Sequence, residues 1–245
     1  MKTKSIWGKP PTRLYRLINL AEQKWGKKFT ACIVGCSDGK FLMPFARAGI
    51  KVTGYDIDDI ALYGGNKDFP IVDEKATYPY STDFKSKNYE LENKRVLGVV
   101  ERLELEQLEE YAEIEKRDFY RCMPNKKFNV VFTSCSLHYS ANKDFTLEEK
   151  TKKLQEIVLP DGYLYVDYMM AIDEDDFNNY PLSKFYRKKE ILQYFDENWE
   201  IISCRENNHP TFEGAHVDCV KDHFHRFGYV LARKKKWKIK KFVGI

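Results

Sequence analysis

The sequence predicts an α/β fold: a doubly wound, mostly parallel sheet of seven strands with an antiparallel C-terminal hairpin strand. Short apolar segments typical of buried strands alternate along the chain with amphipathic segments of helical period. The first strand ends in a tight glycine turn, GCSDG at 35–39, from which a helix starts. The last two strands follow each other without a helix, so we expect them to pair antiparallel at one edge.

The first half of the chain supplies the first three strands of this sheet. The apolar positions of PTRLYRLINLAEQKW recur at helical spacing behind Pro10, which favours an amphipathic opening helix. The aromatic, turn-rich segment 63–93 has no clean period, and we expect an insertion or a lid-like loop there. The predicted elements are a helix over 11–25, a strand at 29–35, a helix over about 39–48, a strand at 50–58, a helix over 95–111 and a strand at 112–119.

The second half completes the sheet. Proline, aspartate and glycine at 160–162 are expected to end a helix, because proline lacks an N–H donor and glycine tolerates a turn. The predicted elements are a strand at 128–139, a helix over 145–159, a strand at 163–170, a helix over 183–198, and closing strands at 199–207 and 226–234.

Length and cysteine usage bound the class of protein. A chain of 245 residues suits a single domain over 1–245, with an N-terminal helix and cap at 1–28. There is no run of about 18 apolar residues that would predict a membrane span, and the N-terminus lacks the apolar core of a signal peptide. The six cysteines form no C-x-x-C pair, as is typical of reduced thiols. We therefore expect a cytoplasmic protein.

The net charge of +4 comes from the C-terminal tail, 233–245. Residues 233–241 hold seven of the 41 basic side chains, and without them 34 basic residues face 37 acidic ones. A globally basic nucleic-acid binder is therefore not supported. A solvated tail that protects the last strand explains the charge most simply, with RNA, membrane or partner contact as alternatives.

The loop GCSDG departs from a dinucleotide-binding loop at one position. Ser37 stands where the middle glycine should allow a pyrophosphate to approach the backbone. A cofactor without phosphates relaxes that demand, so the loop points to a different ligand. S-adenosylmethionine, with an amino-acid end, a sulfonium, a ribose and an adenine, is such a cofactor.

An ordered set of motifs resembles the class I S-adenosylmethionine-dependent methyltransferases over about residues 30–235. The set comprises GCSDG, the aspartate of GYDID 21 residues after Gly35, RDF, SLHY, the PDG turn and the terminal hairpin. The segment after the fifth strand looks like the tellurite-resistance group and its small-molecule relatives. The resemblance implies a Rossmann-like fold and methyl transfer to a small-molecule acceptor by in-line displacement.

The resemblance also implies the cofactor-binding residues. The glycine loop lies under the methionine moiety, a carboxylate takes the ribose hydroxyls, and apolar side chains flank the adenine. These residues are Gly35, Cys36, Ser37, Gly39, Asp56, Ile57, Asp118, Phe119 and Ser134. For Asp118 an Asx turn at the strand end is the alternative.

Two positions depart from the family pattern. Many members carry an acid two residues before the first glycine, where this chain has Ile33. Family members also frequently carry an aspartate at the start of the fourth strand, where this chain has Asn129. The first departure bears on how the methionine ammonium is anchored.

The acceptor side is predicted from the chain's five histidines, which crowd into two mouth loops at 138 and 209–225. We expect His138, Tyr139, His216 and Arg226 to act on the acceptor, the last two by orienting an anion. Polar loop histidines without a chemical role are the alternative. Metal binding is a further alternative, but the spacings of seven, seven and two match no standard zinc pattern, so no metal site is expected.

Other acidic and aromatic residues leave alternatives open. Asp173 to Asp176 suggest a magnesium site, although a solvated acidic loop explains them more simply. The aromatic side chains of the N-terminal segment and of the insertion could form a cap that excludes water. Ordinary packing explains them equally well. These are Trp7, Tyr15, Phe69, Tyr78 and Tyr80.

Two other functions compete with small-molecule methylation. RNA or protein methylation would use the basic tail, but SCSLHY stands where many nucleic-acid amino-methyltransferases carry an NPPY-like or DPPY-like box. A non-catalytic subunit that binds the cofactor is the other alternative. Steep salt dependence of RNA binding would favour the first, and cofactor binding without turnover the second.

Overall fold

The structure, a computed structural model, describes residues 2–71, 89–137, 144–172, 185–216 and 223–236. The helices are α1 (Thr12–Trp25), α2 (Met43–Arg47), α3 (Asp59–Tyr63), α4 (Val99–Glu106) and α5 (Leu147–Glu156), with 3-10 helices at Glu109–Tyr111 and Glu190–Tyr194. The strands are β1 (Thr30–Val34), β2 (Lys51–Asp56), β3 (Gly65–Pro70), β4 (Leu91–Val96), β5 (Ala112–Lys116), β6 (Phe128–Ser134), β7 (Val158–Met170), β8 (Trp199–Glu206), β9 (Thr211–Glu213) and β10 (His223–Lys234).

The main sheet has eight strands. Seven of them, the number predicted, follow the order β5-β2-β1-β6-β7-β10-β8, and the short strand β9 pairs with β10 beside that path. The strands from β5 to β7 pair in parallel, and β10 pairs antiparallel with both β7 and β8. The strand order reverses between β1 and β6, which leaves a crevice at their carboxyl ends. Ligands of doubly wound folds bind at such a switch point.

Both faces of the sheet are covered. In β1, Ala31 and Ile33 belong to one apolar core, and Cys32 and Val34 belong to the other. Because successive strand residues point to opposite faces, a strand covered on both sides reads as a continuous apolar run. No helix in the described ranges is long and apolar enough to cross a membrane.

The segment predicted as an insertion is bounded by a hairpin. Strands β3 and β4 pair antiparallel from Gly65–Val96 to Pro70–Leu91 and form a separate two-stranded sheet. Residues 72–88, with Tyr78 and Tyr80, lie outside the described residues. The predicted helix over 95–111 starts only at Val99, because β4 continues to Val96.

The helix predicted over 183–198 is wrong for the residues described there. The backbone N–H of Tyr186 donates to Met169, and its carbonyl accepts from Ala171, so the chain runs beside β7 as an isolated bridge. Lys189 then has a φ of +60°, outside the right-handed helical region, and only the 3-10 helix Glu190–Tyr194 follows. The apolar spacing of this segment favours a helix, but pairing beside β7 buries the Tyr186 ring, and that burial determines the local structure.

Candidate functional site

The glycine loop lies at the carboxyl end of β1, at the switch point of the sheet. The backbone N–H groups of Gly35 and Cys36 both donate to the Tyr55 carbonyl, at 2.9 and 3.1 Å, which ties the loop to β2. Gly35 has a φ of +71°, and a Cβ built there would lie 2.6 Å from the Ser136 Cβ. The turn therefore requires glycine at this position.

Ser37, at the position of the missing glycine, also adopts the left-handed region, with a φ of +46°. Its backbone N–H donates to Asp56 Oδ2 at 2.7 Å, and its hydroxyl accepts from the Trp7 indole N–H at 3.0 Å. These two contacts offset a conformation that costs a non-glycine residue about 1–2 kcal/mol.

Asp56 ends β2 and faces this loop. Its other oxygen, Oδ1, accepts from the backbone N–H groups of Ile57 at 2.7 Å and Asp58 at 3.1 Å. The carboxylate is therefore fixed between the end of β2 and the glycine loop. Beside it the apolar side chain of Ile57 is 47% exposed. The structure thus brings together the residues predicted for the ribose and for one face of the adenine.

Asp118 and Phe119 follow β5. The Asp118 carboxylate accepts from the Arg121 backbone at 3.2 Å and pairs with the Arg121 guanidinium at 3.1 Å. The donor N–H lies three residues on, so this contact is not the two-residue Asx turn that the sequence left as an alternative. Phe119 is buried, and its ring packs against Tyr55 and Tyr120, with centroids 5.9 and 5.3 Å apart. Its position is that of a core residue.

Ser134 ends β6 next to β1. Its hydroxyl donates to Asp167 Oδ2 at 3.2 Å, and the neighbouring Thr133 hydroxyl donates to the Val34 carbonyl at 2.9 Å. The next residue, Cys135, has a φ of +60°, and burial raises the pKa of its thiol to about 12. Two predicted catalytic residues, His138 and Tyr139, lie outside the described residues.

Asp167 is a site residue that the sequence interpretation missed. It lies on β7 opposite Ser134, is buried, and accepts from Arg13 Nη2 of α1 at 2.6 Å. Burial raises the pKa of the Asp167 carboxyl, and the charge of Arg13 opposes that rise. The available signal was a single charged residue within the apolar strand YLYVDYMM.

Asp38 is a second missed residue, and it fastens the N-terminal segment over the loop. Its buried carboxylate accepts from the Ser5 hydroxyl and the Ile6 backbone N–H, both at 2.8 Å, and lies 3.4 Å from Arg102 Nη1. The same segment carries Trp7 onto Ser37. The glycine loop is therefore covered by the residues that precede α1.

The predicted pair of His216 and Arg226 is not brought together. The Arg226 guanidinium donates to the backbone carbonyls of Asn207 and Ala171, at 2.8 and 3.5 Å. His216 instead lies 5.2 Å, ring to ring, from His223. Side chains alternate along β10, so Arg226 points to the face opposite His225. Glu213 joins these imidazoles in a group that we name the histidine cluster: Glu213, His216, His223 and His225.

The first residues of the basic tail pack against the body of the protein. Arg233 pairs with Glu200, and Lys236 lies 3.3 Å from Asp161. Lys234 donates to the carbonyls of Gln155 and Val158, each at 3.0 Å. These cations are paired in the folded chain, and residues 237–245 lie outside the described ones.

Solved structures with this architecture include methyltransferases. TehB from Haemophilus influenzae matches with a TM-score of 0.59 at 15% identity, over 92% of this chain and 63% of TehB. The chain thus spans less than two thirds of that protein. The N-methyltransferase NodS from Bradyrhizobium japonicum, in complex with S-adenosyl-L-homocysteine, gives 0.52 at 10% identity, over 91% of this chain and 86% of NodS.

A further match is magnesium protoporphyrin IX methyltransferase from Synechocystis, with bound S-adenosylhomocysteine. Its TM-score is 0.51 at 13% identity, over 91% of this chain and 82% of that one. The chain has the methyltransferase fold. No protein-family model matches the sequence, and neither does any curated protein.

The two departures from the methyltransferase pattern have distinct structural outcomes. Asn129 takes over a structural role, because its Oδ1 accepts from the Thr30 backbone N–H at 2.9 Å and so links β6 to β1. Ile33 is fully buried in one of the two cores. It offers no charge to a ligand at the glycine loop.

Proposed function

We propose that the chain is an enzyme that transfers a methyl group from S-adenosylmethionine to a small-molecule acceptor. The observation that carries the proposal is the Asp56 carboxylate, fixed 2.7 Å from the Ser37 backbone N–H at the switch point of the sheet. An exposed Ile57 lies beside it. The methyltransferase fold and the form of the glycine loop support the same cofactor.

The residues around the loop fit the parts of this cofactor. Each oxygen of a carboxylate has two acceptor sites, so Asp56, which binds three backbone N–H groups, retains one acceptor site on Oδ2 for a ribose hydroxyl. Ile57 offers an apolar surface to the adenine. We assign the loop Gly35, Cys36, Ser37 and Gly39, together with Ser134, to the methionine end. Asp118 keeps its predicted role beside the adenine amine in this proposal, and Phe119 supports that region from the core.

When bound, S-adenosylmethionine supplies an electrophilic methyl group on a sulfonium, which a nucleophile displaces in line. The chain must align the acceptor and exclude water. The N-terminal segment held by Asp38 covers the loop and contributes to that exclusion. Asp167 offers a carboxylate with a raised pKa next to Ser134, suited to take a proton from an acceptor that must lose one. Arg13 orients this carboxylate.

Of the four residues predicted to act on the acceptor, His138, Tyr139 and His216 stay part of this proposal, and Arg226 does not. His138 and Tyr139 are kept as acceptor-side residues by sequence position alone. His216 lies near Trp7, ring centroids 5.6 Å apart, and so close to the covered loop. Arg226 is bound to backbone carbonyls, and we no longer assign it to an anionic acceptor. A cytoplasmic location remains the inference from the free thiols of the described cysteines.

Calorimetric titration with S-adenosylmethionine tests the cofactor assignment. We expect micromolar binding by the wild-type protein and loss of that binding in Asp56→Ala. Asp59→Ala is the matched control, because Asp59 is exposed on α3 and pairs only with Lys116 in the described contacts. Wild-type protein that binds neither S-adenosylmethionine nor S-adenosylhomocysteine would refute the proposal.

Methyl transfer then separates the classes of acceptor. Protein is incubated with methyl-labelled S-adenosylmethionine and small anions, amines, thiols and phenols in parallel with total RNA and protein extract. Transfer to a small molecule, abolished by Asp56→Ala, supports the proposal. Transfer confined to RNA or protein would overturn the acceptor class, and binding without any transfer would favour a non-catalytic subunit.

A further inference from the structure

Four side chains at one end of the β9–β10 hairpin direct ligand-type atoms at a single point. The Nε2 atoms of His223 and His225 are 2.6 Å apart. Glu213 Oε2 lies 2.9 Å from His225 Nε2 and 4.0 Å from His223 Nε2, and Glu213 Oε1 lies 3.9 Å from His216 Nε2. One donor atom from each of the four residues falls within 4.8 Å of all the others.

Strand pairing explains this convergence, which the spacing along the chain does not predict. His223 lies directly opposite Glu213 in the antiparallel ladder. His225, two residues on, points to the same face as His223, and His216 follows the end of β9 by three residues. The intervening partners, Phe212 and Phe224, pack on each other with centroids 5.5 Å apart. The spacing of the histidines along the chain predicts no metal site, because it includes neither the strand pairing nor Glu213.

The arrangement has the dimensions of a metal coordination shell. Zinc binds imidazole nitrogen and carboxylate oxygen at about 2.0–2.2 Å, so neighbouring ligand atoms of a tetrahedral site lie about 3.3 Å apart. The four distances given above, from 2.6 to 4.0 Å, bracket that value, and all four donor atoms lie within 4.8 Å of one another. A hydrogen bond accounts for the closest histidine pair, but it does not account for three imidazoles and a carboxylate meeting at one point.

We propose that Glu213, His216, His223 and His225 bind one divalent transition-metal ion, of the class represented by Zn²⁺. Imidazole nitrogen suits zinc, iron, nickel and copper, whereas magnesium and calcium prefer shells of oxygen. Three imidazoles with one carboxylate therefore select a transition metal. The three histidines are partly buried, which limits competition from water.

The site is connected to the glycine loop. The His216 ring lies edge-on to Trp7, and Trp7 donates to the Ser37 hydroxyl. Glu213 is close enough to Lys40 and Cys135 to contribute to the pKa of each. If the loop binds the cofactor as proposed, the ion lies on the acceptor side of that loop. Only this step of the inference rests on the proposed function. An acceptor oxygen or nitrogen can then reach the ion as an added ligand.

Titration of the full-length, chelator-treated protein with Co²⁺, followed by displacement with Zn²⁺, tests the site. Cobalt bound to nitrogen ligands absorbs in the visible range, and we expect this absorption to saturate at one ion per chain. Loss of a direct ligand in His225→Ala should weaken Zn²⁺ binding by more than about 100-fold, beyond the 10–100-fold typical of an outer-shell partner. His209→Ala, which removes an exposed histidine outside the cluster, should bind as the wild type does.

A second variant guards against misfolding of the hairpin. His216 lies outside the β9–β10 ladder, so His216→Ala should weaken metal binding while the metal-free protein still unfolds in one cooperative transition. Absence of stoichiometric binding, or equal affinity in wild type, His216→Ala and His225→Ala, would overturn the proposal. Parallel titration with S-adenosylmethionine keeps the two proposals separate. Metal binding without cofactor binding would refute only the proposed function. Cofactor binding without metal binding would refute only the metal site.

Discussion

Ser37 shows how a nucleotide-type loop can lose its middle glycine and keep its shape. A left-handed serine directs its backbone N–H at Asp56 while its hydroxyl receives the Trp7 indole. A pyrophosphate would compete with the side chain for this space, but a ligand without phosphates does not. One residue thus distinguishes the class of ligand that the loop suits.

Gly35 provides a stability test of the same loop. We expect Gly35→Ala to destabilise the protein by about 2 kcal/mol more than Gly8→Ala, or roughly 4–8 °C in Tm, because only Gly35 meets a neighbouring atom. The two glycines have similar φ angles, +71° and +75°, but the space around Gly8 is open. Thermal unfolding of both variants measures the difference. Equal Tm values would show that Ser136 does not constrain the loop.

Site residues at strand ends were predictable, whereas those defined by pairing were not. Asp56 is the last residue of the apolar strand β2, so its place at the carboxyl edge follows from the pattern. Asp167 and Glu213 carry no local motif. Strand pairing places Asp167 opposite Ser134 and Glu213 opposite His223. Register between distant strands is not encoded in local periodicity.

The segment before α1 is the element that the sequence left least defined. It is fastened at two carboxylates, Asp38 in the glycine loop and Glu106 at the end of α4. Glu106 accepts from the Thr3 backbone N–H and hydroxyl, each at 2.6 Å, and from Arg47 Nε at 2.7 Å. Burial alone would raise the pKa of Glu106, but these hydrogen bonds outweigh burial and lower it to about 2.

This pKa gives the contact between Glu106 and the segment before α1 a defined pH dependence. Because the folded value lies below the ordinary value of 4.5, the stabilisation is complete above pH 4.5 and is lost as the pH falls towards 2. We expect Glu106→Gln to cost about 2 kcal/mol at pH 7 and progressively less below pH 4.5. Urea unfolding between pH 7 and 3 measures this, with the exposed Glu104→Gln as control. A cost that does not shrink on acidification would refute the role of the charge.

Elements with strong periodicity were predicted well, and those shaped by tertiary contacts were not. The helix α1 and the antiparallel pairing of β8 with β10 follow from local pattern. The helix predicted over 183–198 fails because Tyr186 pairs with β7 and buries its ring. A helical apolar spacing and a buried bridge residue look alike in the sequence, and only the packed sheet distinguishes them.

At the scale of the whole molecule, the proposed function rests on one edge of the sheet and does not use the described start of the basic tail. The parallel strands gather the loop, Asp56 and Ser134 at one edge, while the cations at 233–236 lie against the body of the protein.

A chain that ends at Lys236 should therefore bind S-adenosylmethionine within about twofold of the full-length affinity. The same truncation should leave methyl transfer to small acceptors unchanged. Calorimetry and the labelled-methyl assay measure the two effects. The RNA-methylating alternative makes the opposite prediction. If Lys238, Lys240 and Lys241 each contact a phosphate, their removal would flatten the slope of log affinity against log salt by about 2–3. Loss of methyl transfer in the truncated chain, together with a weaker salt dependence of RNA affinity, would show that the tail binds the substrate.

The proposed cofactor site is tested most directly by nuclear magnetic resonance. Backbone amide chemical shifts of the isotope-labelled protein are followed as S-adenosylmethionine is added. We predict saturable chemical-shift changes at residues 35–39, 56–58 and 134–136, the segments that meet at the switch point, and little change at the amino ends of the same strands. Absence of shifts at saturating cofactor, or shifts gathered at another surface, would contradict the claim that this edge of the sheet binds S-adenosylmethionine.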